Sequence, residues 1–482
     1  MAEFVSGLNG ILWSTPVIYI LLGVGLLFSI LTRFLQVRHI KEMVKLMFQG
    51  KSSEAGVSSF QALSIALSGR VGTGNIAGVA TAIAFGGPGA IFWMWAIAFI
   101  GASSAFIEST LAQIYKEKHE GQYRGGPAFY IEKGIGWKWF AVLFAVAAII
   151  AMAVLMPGVQ ANSIALGMEN AFKIPPAVTG LAVVLFLGII IFGGTKRIAR
   201  TAQLIVPFMA LGYILLSVVI ILMNITELPG VISLIFRSAF GVDSAFGGLI
   251  GMAIAWGVKR GIYSNEAGQG TGPHPAAAAE VSHPAKQGLV QAFSVYIDTL
   301  FVCSATAFMI LFTGMYNTQA EDESFIVNNL EGVEAGPGYT QAAIDSVLPG
   351  FGAGFVAIAL FFFAFTTIMA YYYIAETNVT YLFPKNSYWI SILLKVVIMG
   401  ASFYGSVRTA ELAWALGDAG LGIMVWLNVI AILILAKPAL IALKDYERQK
   451  KQGLDPVFDP KTLGIKNADY WETERKLDGD KV

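Results

Sequence analysis

Long runs of apolar residues, separated by short polar segments, recur along the whole chain. A helix needs about 20 such residues to cross the hydrocarbon core of a bilayer. The runs predict about eleven spans, near residues 11–32, 59–85, 88–115, 137–156, 176–192, 203–224, 244–277, 289–314, 348–382, 388–406 and 411–436. The pattern therefore predicts an all-α integral membrane protein.

Lysine and arginine are concentrated in every second loop between the predicted spans. Basic clusters follow the first, third and fifth spans, whereas the loop at 315–347 carries acidic residues and neither lysine nor arginine. Basic residues mark cytoplasmic loops. We therefore expect the amino terminus outside the cell and the carboxyl terminus in the cytoplasm.

Two of the predicted spans are interrupted by glycines and polar residues. The first contains SGRVGTGNIAG (68–78) and the second contains RGIYSNEAGQGTGPHP (260–275). Glycine inside a helix costs about 1 kcal/mol relative to alanine, and unwound backbone in hydrocarbon needs a ligand or a protein group to satisfy it. Close helix packing explains small residues equally well, but it does not require Thr73 and Asn75 at the same depth. We therefore predict two broken helices.

The two broken segments occupy matching positions in two sets of five spans that have opposite topology. This arrangement indicates the binding site of a secondary transporter. The predicted divisions are an extra amino-terminal helix with a basic loop, two inverted repeats with an extracellular connection, and a cytoplasmic tail, at 1–58, 59–224, 225–243, 244–436 and 437–482.

Several polar groups near these segments suit a small charged ligand. Free amides at the start of a half-helix favour a carboxylate, and exposed carbonyls before a break favour a cation. Adjacent hydroxyls on Thr366 and Thr367 suit a hard cation, although threonines in membrane helices also bond back to their own helix. Glu266 takes part in cation coupling or forms a salt bridge with Lys259, Arg260 or Arg70, and we slightly favour the structural role.

Composition excludes several classes of function. The chain is 56% hydrophobic and 13% charged, with a net charge of +1, which argues against a nucleic-acid partner. No GxxxxGK[ST] loop is present, so we expect no nucleotide. No nucleophile, histidine and acid set is evident, so we expect no enzyme. The one cysteine, Cys303, lies in an apolar run and is expected to be a buried, inert thiol.

The chain resembles the alanine or glycine:cation symporter family over residues 5–440, in the stretches GRVGTGNIAGVATAI, GGPGAIFWMW, YRGGPAFYIEKG, GGTKRIARTAQLIVPFMA and RGIYSNEAGQGTGPHPAAAA. The resemblance implies sodium-coupled uptake of alanine or glycine across a bacterial inner membrane. It also implies the leucine-transporter fold, with a five-plus-five inverted repeat and one extra amino-terminal helix. Sodium is then the co-transported ion, the bilayer is the other partner, and no organic cofactor is expected.

Similarity to the wider fold also implies two sets of site residues. The substrate would be held by the amides of Thr73 and Gly74, by the Asn75 side chain and by residues of the second break, Tyr263 and Asn265. Sodium would be held by the carbonyls of Ser68, Val71 and Phe363 and by the hydroxyls of Thr366 and Thr367.

Two alternatives stay open at this stage. A proton-coupled amino-acid transporter would use Glu266 and would be driven by acid outside. A channel or receptor gated by an amino acid would line a continuous pore with polar rings, whereas the polar residues of this chain concentrate at one depth.

Overall fold

The computed structural model of the protein describes residues 2–243, 245–385 and 387–474. Within them, seven helices are long and apolar enough to cross a membrane, and a bent pair near the amino terminus, Glu3–Leu12 with Thr15–Leu31, brings the number to eight. The protein is therefore a mostly helical, multi-pass membrane protein. Pro176–Ile191 and the two broken segments fall short of that length.

In the described residues, the first half of the chain forms twelve α-helices. They are α1 (Ala2–Leu12), α2 (Thr15–Leu31), α3 (Leu35–Arg38), α4 (Ile40–Met47), α5 (Ser59–Arg70), α6 (Val79–Gly86), α7 (Gly89–Ile114), α8 (Pro127–Tyr130), α9 (Lys138–Ile150), α10 (Pro157–Phe172), α11 (Pro176–Ile191) and α12 (Gly194–Met223).

The second half contributes nine more. They are α13 (Leu228–Ala239), α14 (Ile250–Asn265), α15 (Pro273–Ala278), α16 (Pro284–Val295), α17 (Ser304–Thr313), α18 (Pro337–Val347), α19 (Gly352–Leu382), α20 (Ser387–Ser406) and α21 (Ala410–Lys451). Wide, π-helical turns occupy Gly74–Gly78, Ile131–Ile135, Ala151–Leu155, Tyr296–Cys303 and Tyr470–Glu474, and single 3₁₀ turns occupy Ile225–Glu227 and Gly247–Leu249.

The first predicted break is confirmed. Helix α5 begins at a capping box, in which Ser58 and Gln61 each accept from the other's backbone N–H. It ends at Arg70, since Val71 has an extended ψ of 87°. The chain then re-enters a helix through the wide turn Gly74–Gly78 and continues into α6.

The second predicted break is also confirmed. Helix α14 stops at Asn265 because Glu266 adopts a left-handed conformation, with φ of 55°. Gly268 and Gly270 follow with φ of 80° and 87°, values that glycine adopts without steric cost. Pro273 then starts α15, where its missing N–H costs no hydrogen bond.

Two predicted helix ends are wrong. The span predicted at 137–156 continues as one helical segment, Lys138–Phe172, because its polar second half is buried against protein: Asn162 donates to the carbonyls of Gly405 and Arg408 at 3.2 and 2.7 Å. The helix predicted to end at 436 continues to Lys451. There Glu447 pairs with Arg33 and Arg38 at 2.7 and 2.8 Å.

Glu447 lies outside the apolar part of α21. Burial alone would raise the pKa of its carboxyl, but hydrogen bonds from His39 and Arg38 outweigh this effect and hold the pKa below its usual value. The carboxylate thus stays charged at neutral pH and ties the end of α21 to the segment that follows α2.

The all-α prediction needs one correction, since two short antiparallel hairpins lie in loops. Strands β1 (Glu117–His119) and β2 (Gln122–Arg124) form one, joined by Glu120 and Gly121, both with positive φ. Strands β3 (Asn317–Gln319) and β4 (Phe325–Asn328) form the other.

Residues 453–474, here called the carboxyl-terminal strap, fold back along the protein. Phe458 N–H donates to the Ser282 carbonyl at 3.0 Å, close to the end of α15. Trp471 Nε1 donates to the Gln113 carbonyl at 2.8 Å, at the end of α7. The Lys116 ammonium lies 4.2 Å from the Tyr123 ring and 4.6 Å from the Tyr470 ring. The strap therefore holds together the ends of α7 and α15 and the first hairpin.

Candidate functional site

The first break is held open by side chains rather than by helical bonds. The Asn75 carboxamide oxygen accepts from Gly72 N–H at 2.8 Å, which fixes the orientation of the amide. Gln160 Oε1, from α10, accepts from Thr73 N–H at 3.0 Å. The Thr73 amide, expected to be free for a carboxylate, is therefore occupied by Gln160 in this conformation.

The two breaks meet at Gly74. A Cβ built on Gly74 would lie 3.1 Å from Ser264 Cα and 3.2 Å from the Tyr263 ring. The Tyr263 ring lies 5.0 Å from the Trp414 ring, and its buried hydroxyl has no hydrogen-bond partner among the described residues. The Asn265 side chain accepts from Ala267 N–H at 3.0 Å, within the second break. It also donates to Thr299 Oγ1 at 3.3 Å, in the wide turn before α17.

A buried aspartate joins the breaks to each other. Asp298, in the wide turn Tyr296–Cys303, accepts from Asn75 Nδ2 at 2.7 Å and from Ser264 Oγ at 3.1 Å through one oxygen. Its other oxygen accepts from Thr299 Oγ1 at 2.7 Å. Cys303 Sγ lies 3.1 Å from Ser264 Oγ and 3.4 Å from Asn75 Nδ2.

Four of the five residues implied for sodium come together between α5 and α19. Thr366 and Thr367 both donate to the Phe363 carbonyl at 3.0 Å. Thr367 Oγ1 also lies 2.9 Å from the Ser68 carbonyl, so the oxygens of two separate helices meet here. Val71 is buried at the end of α5, next to Gly72, whose added Cβ would clash with Thr367 Oγ1.

Charged residues surround the breaks. Glu108 of α7 accepts from Gly268 and Gly270 N–H at 3.2 and 3.1 Å and so replaces helical bonds that the second break lacks. Arg70 donates to Ser294 and to Gln291 of α16. Gly272 leaves room for Arg70, because a Cβ there would lie 2.6 Å from Nη2.

The salt bridges that we considered for Glu266 need correction. Lys259 and Arg260 both pair with Asp418 of α21, at 2.7 and 2.9 Å. Glu266 instead accepts from Thr271 Oγ1 at 2.8 Å and interacts electrostatically with Arg70. Lys259 and Arg260 are therefore not the partners of Glu266.

Comparison with known proteins identifies the family. The profile of the sodium:alanine symporter family matches residues 1–460. The chain belongs to this family. Sodium:alanine symporters are transporters, so the expectation that this chain is no enzyme is confirmed.

Two relatives cover nearly the whole symporter chain. A Bacillus subtilis protein, provisionally named sodium/proton-dependent alanine carrier protein YrbD, is 80% identical over 100% of both chains. The sodium/proton-dependent alanine carrier protein of Bacillus sp. strain PS3 is 59% identical over 90% of this chain and 98% of its own. Among solved structures, a manganese transporter of Eremococcus coleocola aligns with 12% identity and a TM-score of 0.48, over 87% of this chain and 94% of its own.

Three buried polar residues of this symporter were missed from sequence: Glu108, Gln160 and Asp298. Each lies inside or beside an apolar run, and intramembrane acids are functional candidates by default. Applied evenly along the chain, that rule would have marked Glu108 and Asp298 as it marked Glu266. Gln160 carries no comparable signal, because its amide is uncharged and the rule concerns ionisable residues.

Proposed function

We propose that this symporter carries alanine, and glycine as a second small substrate, into the cell together with sodium. The observation that carries the proposal is the meeting of the two broken helices at Gly74 and Ser264, where unwound backbone and buried polar side chains face each other. The names of the two relatives, both alanine carriers, support the substrate.

The proposed substrate site uses Thr73, Gly74, Asn75, Tyr263 and Asn265. The carboxylate would take the backbone amides of the first break, displacing Gln160 Oε1 from Thr73 N–H. The ammonium would turn to the carbonyls of both breaks and to the Asp298 carboxylate. The close approach of Tyr263 and Ser264 to Gly74 leaves little space for a side chain, which favours substrates as small as alanine.

The proposed sodium site uses the carbonyls of Ser68, Val71 and Phe363 with the hydroxyls of Thr366 and Thr367. Sodium is a hard cation, and oxygen ligands are the donors that hard cations prefer. Because the oxygens come from α5 and α19, bound sodium would fix the first break against α19 before the substrate docks.

We infer about eleven spans in the leucine-transporter arrangement. One extra amino-terminal span precedes two inverted repeats, at 59–224 and 244–436, and a carboxyl-terminal segment follows Lys451. The loop charges support an amino terminus outside and a carboxyl terminus in the cytoplasm of a bacterial inner membrane. The side chains at the breaks are enclosed, which suits alternating access rather than an open pore.

One sodium ion per substrate would supply enough energy for uptake. Moving one charge through 100 mV contributes about 2.3 kcal/mol, and a tenfold sodium gradient adds about 1.4 kcal/mol. Together they support several hundredfold accumulation of a zwitterion.

Proteoliposomes that contain the purified protein test this function. With an inward sodium gradient, they are expected to accumulate labelled alanine saturably, and unlabelled glycine is expected to compete better than glutamine or leucine. Equal uptake after potassium replaces sodium would contradict sodium coupling. A flux that does not saturate would indicate a channel.

A further inference from the structure

The buried charges near the two breaks are unbalanced. Glu108, Glu266 and Asp298 are each at most 2% exposed, and Arg70, 1% exposed, interacts electrostatically with all three. A second group, buried Arg260 and Asp418 with half-buried Lys259, has its own salt bridges. The three carboxylates are therefore matched by one guanidinium, and buried charges are costly unless they are paired.

Two of the three carboxylates are fully engaged as acceptors. Glu108 accepts from Gly268 N–H, from Gly270 N–H and from Asn428 Nδ2, the last at 2.7 Å. Asp298 accepts through both oxygens, as described above. A proton added to either group would compete with these donors.

Glu266 differs from both. Its Oε2 accepts from Thr271, but its Oε1 has no hydrogen-bond partner in the part of the chain that the structure describes. A cavity of about 10 Å³ borders the side chain, lined in part by Ala66, Gly69 and Ala370. That volume suits a species no larger than one water molecule.

The charged and phenolic groups around Glu266 suit a carboxyl that gains and loses one proton. Arg70 of α5 interacts electrostatically with the Glu266 carboxyl, and so does Asp298 of the wide turn before α17. The phenols of Tyr263 and Tyr371 also lie close enough to interact with it electrostatically. Glu108 shares Arg70 as a counter-charge. Glu266 is also the left-handed residue that ends α14, so its charge sits at the junction of the second break.

We propose that Glu266 is the proton-binding site of this transporter, with Arg70 as its counter-charge. The proton bonds to Oε1 and makes the carboxyl neutral, and sodium supplies the second missing positive charge at its own site. An inward proton gradient therefore adds to the driving force for alanine. This inference rests on the proposed function and deepens it.

Proteoliposomes with two kinds of gradient test the site. Alanine uptake is measured under a sodium gradient at equal pH, and under a proton gradient at equal sodium, for the unchanged protein, for Glu266→Gln and for Glu108→Gln. Glu266→Gln is expected to lower proton-driven uptake at least tenfold more than it lowers sodium-driven uptake. Glu108→Gln, a matched buried carboxylate, is expected to lower both in proportion, since it supports the break.

A pH-sensitive dye inside the vesicles supplies the second measurement. Alanine is expected to acidify vesicles that contain the unchanged protein, and Glu266→Asp is expected to retain this signal while Glu266→Gln loses it. Sodium-driven uptake without any acidification in the unchanged protein would overturn the inference and leave the proposed function standing. An equal fall of both kinds of uptake in Glu266→Gln would also overturn the inference. Absence of sodium-driven uptake in the unchanged protein would instead refute the proposed function.

Discussion

A single hydroxyl group, that of Thr367, bridges α5 and α19. Thr367 Oγ1 lies within hydrogen-bond distance of carbonyls on both helices, Ser68 and Phe363, yet one hydroxyl has only one proton to donate. One carbonyl therefore faces the hydroxyl as a surplus oxygen. Such an oxygen-rich contact is stabilised when a cation binds, whereas ordinary threonines in membrane helices satisfy one carbonyl of their own helix.

Removing both hydroxyls should weaken sodium binding. Thr366→Ala combined with Thr367→Ala is expected to raise the sodium concentration for half-maximal alanine uptake at least tenfold. Thr313→Ala is the control, because Thr313 bonds only to carbonyls of its own helix. An unchanged sodium dependence in the double variant would contradict the proposed cation site.

At the scale of elements, each break is an unwound turn whose backbone is satisfied from outside its own helix. Glu108 and Asn428 do this for the second break, and Gln160 does it for the first. The glycines of the second break then set the path of the chain. A Cβ on Gly270 would lie 2.9 Å from Pro127 and 3.0 Å from Phe144.

A methyl group at Gly270 should therefore disturb the break. Gly270→Ala combines this crowding with a left-handed φ, which costs about 1–2 kcal/mol for a residue with a Cβ, and we expect it to lower alanine uptake at least tenfold. Gly400→Ala, on α20, meets no atom within 4 Å and is expected to transport normally. Normal uptake by Gly270→Ala would indicate that these glycines only allow close helix packing.

The breaks were predictable because glycine and polar residues stand out against an apolar run over many positions. Helix α10 was not predictable in this way, because its polar residues are typical of a loop. Their buried partners, on α20 and just after it, are visible only in the tertiary structure. The role of Asp298 was missed for a related reason. Its partner Asn75 lies 223 residues away in the sequence, and no local pattern indicates such a contact. Local composition thus predicts where a membrane helix unwinds, whereas the groups that satisfy it depend on tertiary structure.

At the scale of the molecule, the carboxyl-terminal strap links distant elements on one face. Trp471 is buried against the end of α7, while Phe458 is hydrogen-bonded to Ser282, in the linker that follows α15, the second half of the second broken helix. His283 packs edge-on against the Phe458 ring at 5.4 Å and hydrogen-bonds to Asp445 at the end of α21. Burial would raise the pKa of Asp445, but the hydrogen bonds from His283 and Gln449 outweigh it and lower the pKa.

Loss of the buried indole should release the strap. Trp471→Ala is expected to destabilise the folded strap by about 3 kcal/mol or more, and trypsin should then cut faster after Lys461 and Lys466. Trp389→Ala serves as the control, because Trp389 is 74% exposed. Identical cleavage rates in the two variants would show that Trp471 does not hold the strap.

The position of Cys303 allows opening of the protein to be followed by thiol labelling. It is the one thiol in the sequence, and it lies within 3.4 Å of Asn75 in the first break and within 3.1 Å of Ser264 beside the second. A maleimide or methanethiosulfonate reagent therefore has a single target, which it reaches only while a passage to the centre is open. The labelling rate of the unaltered chain would report how often that passage opens, and the membrane side of the reagent would report in which direction.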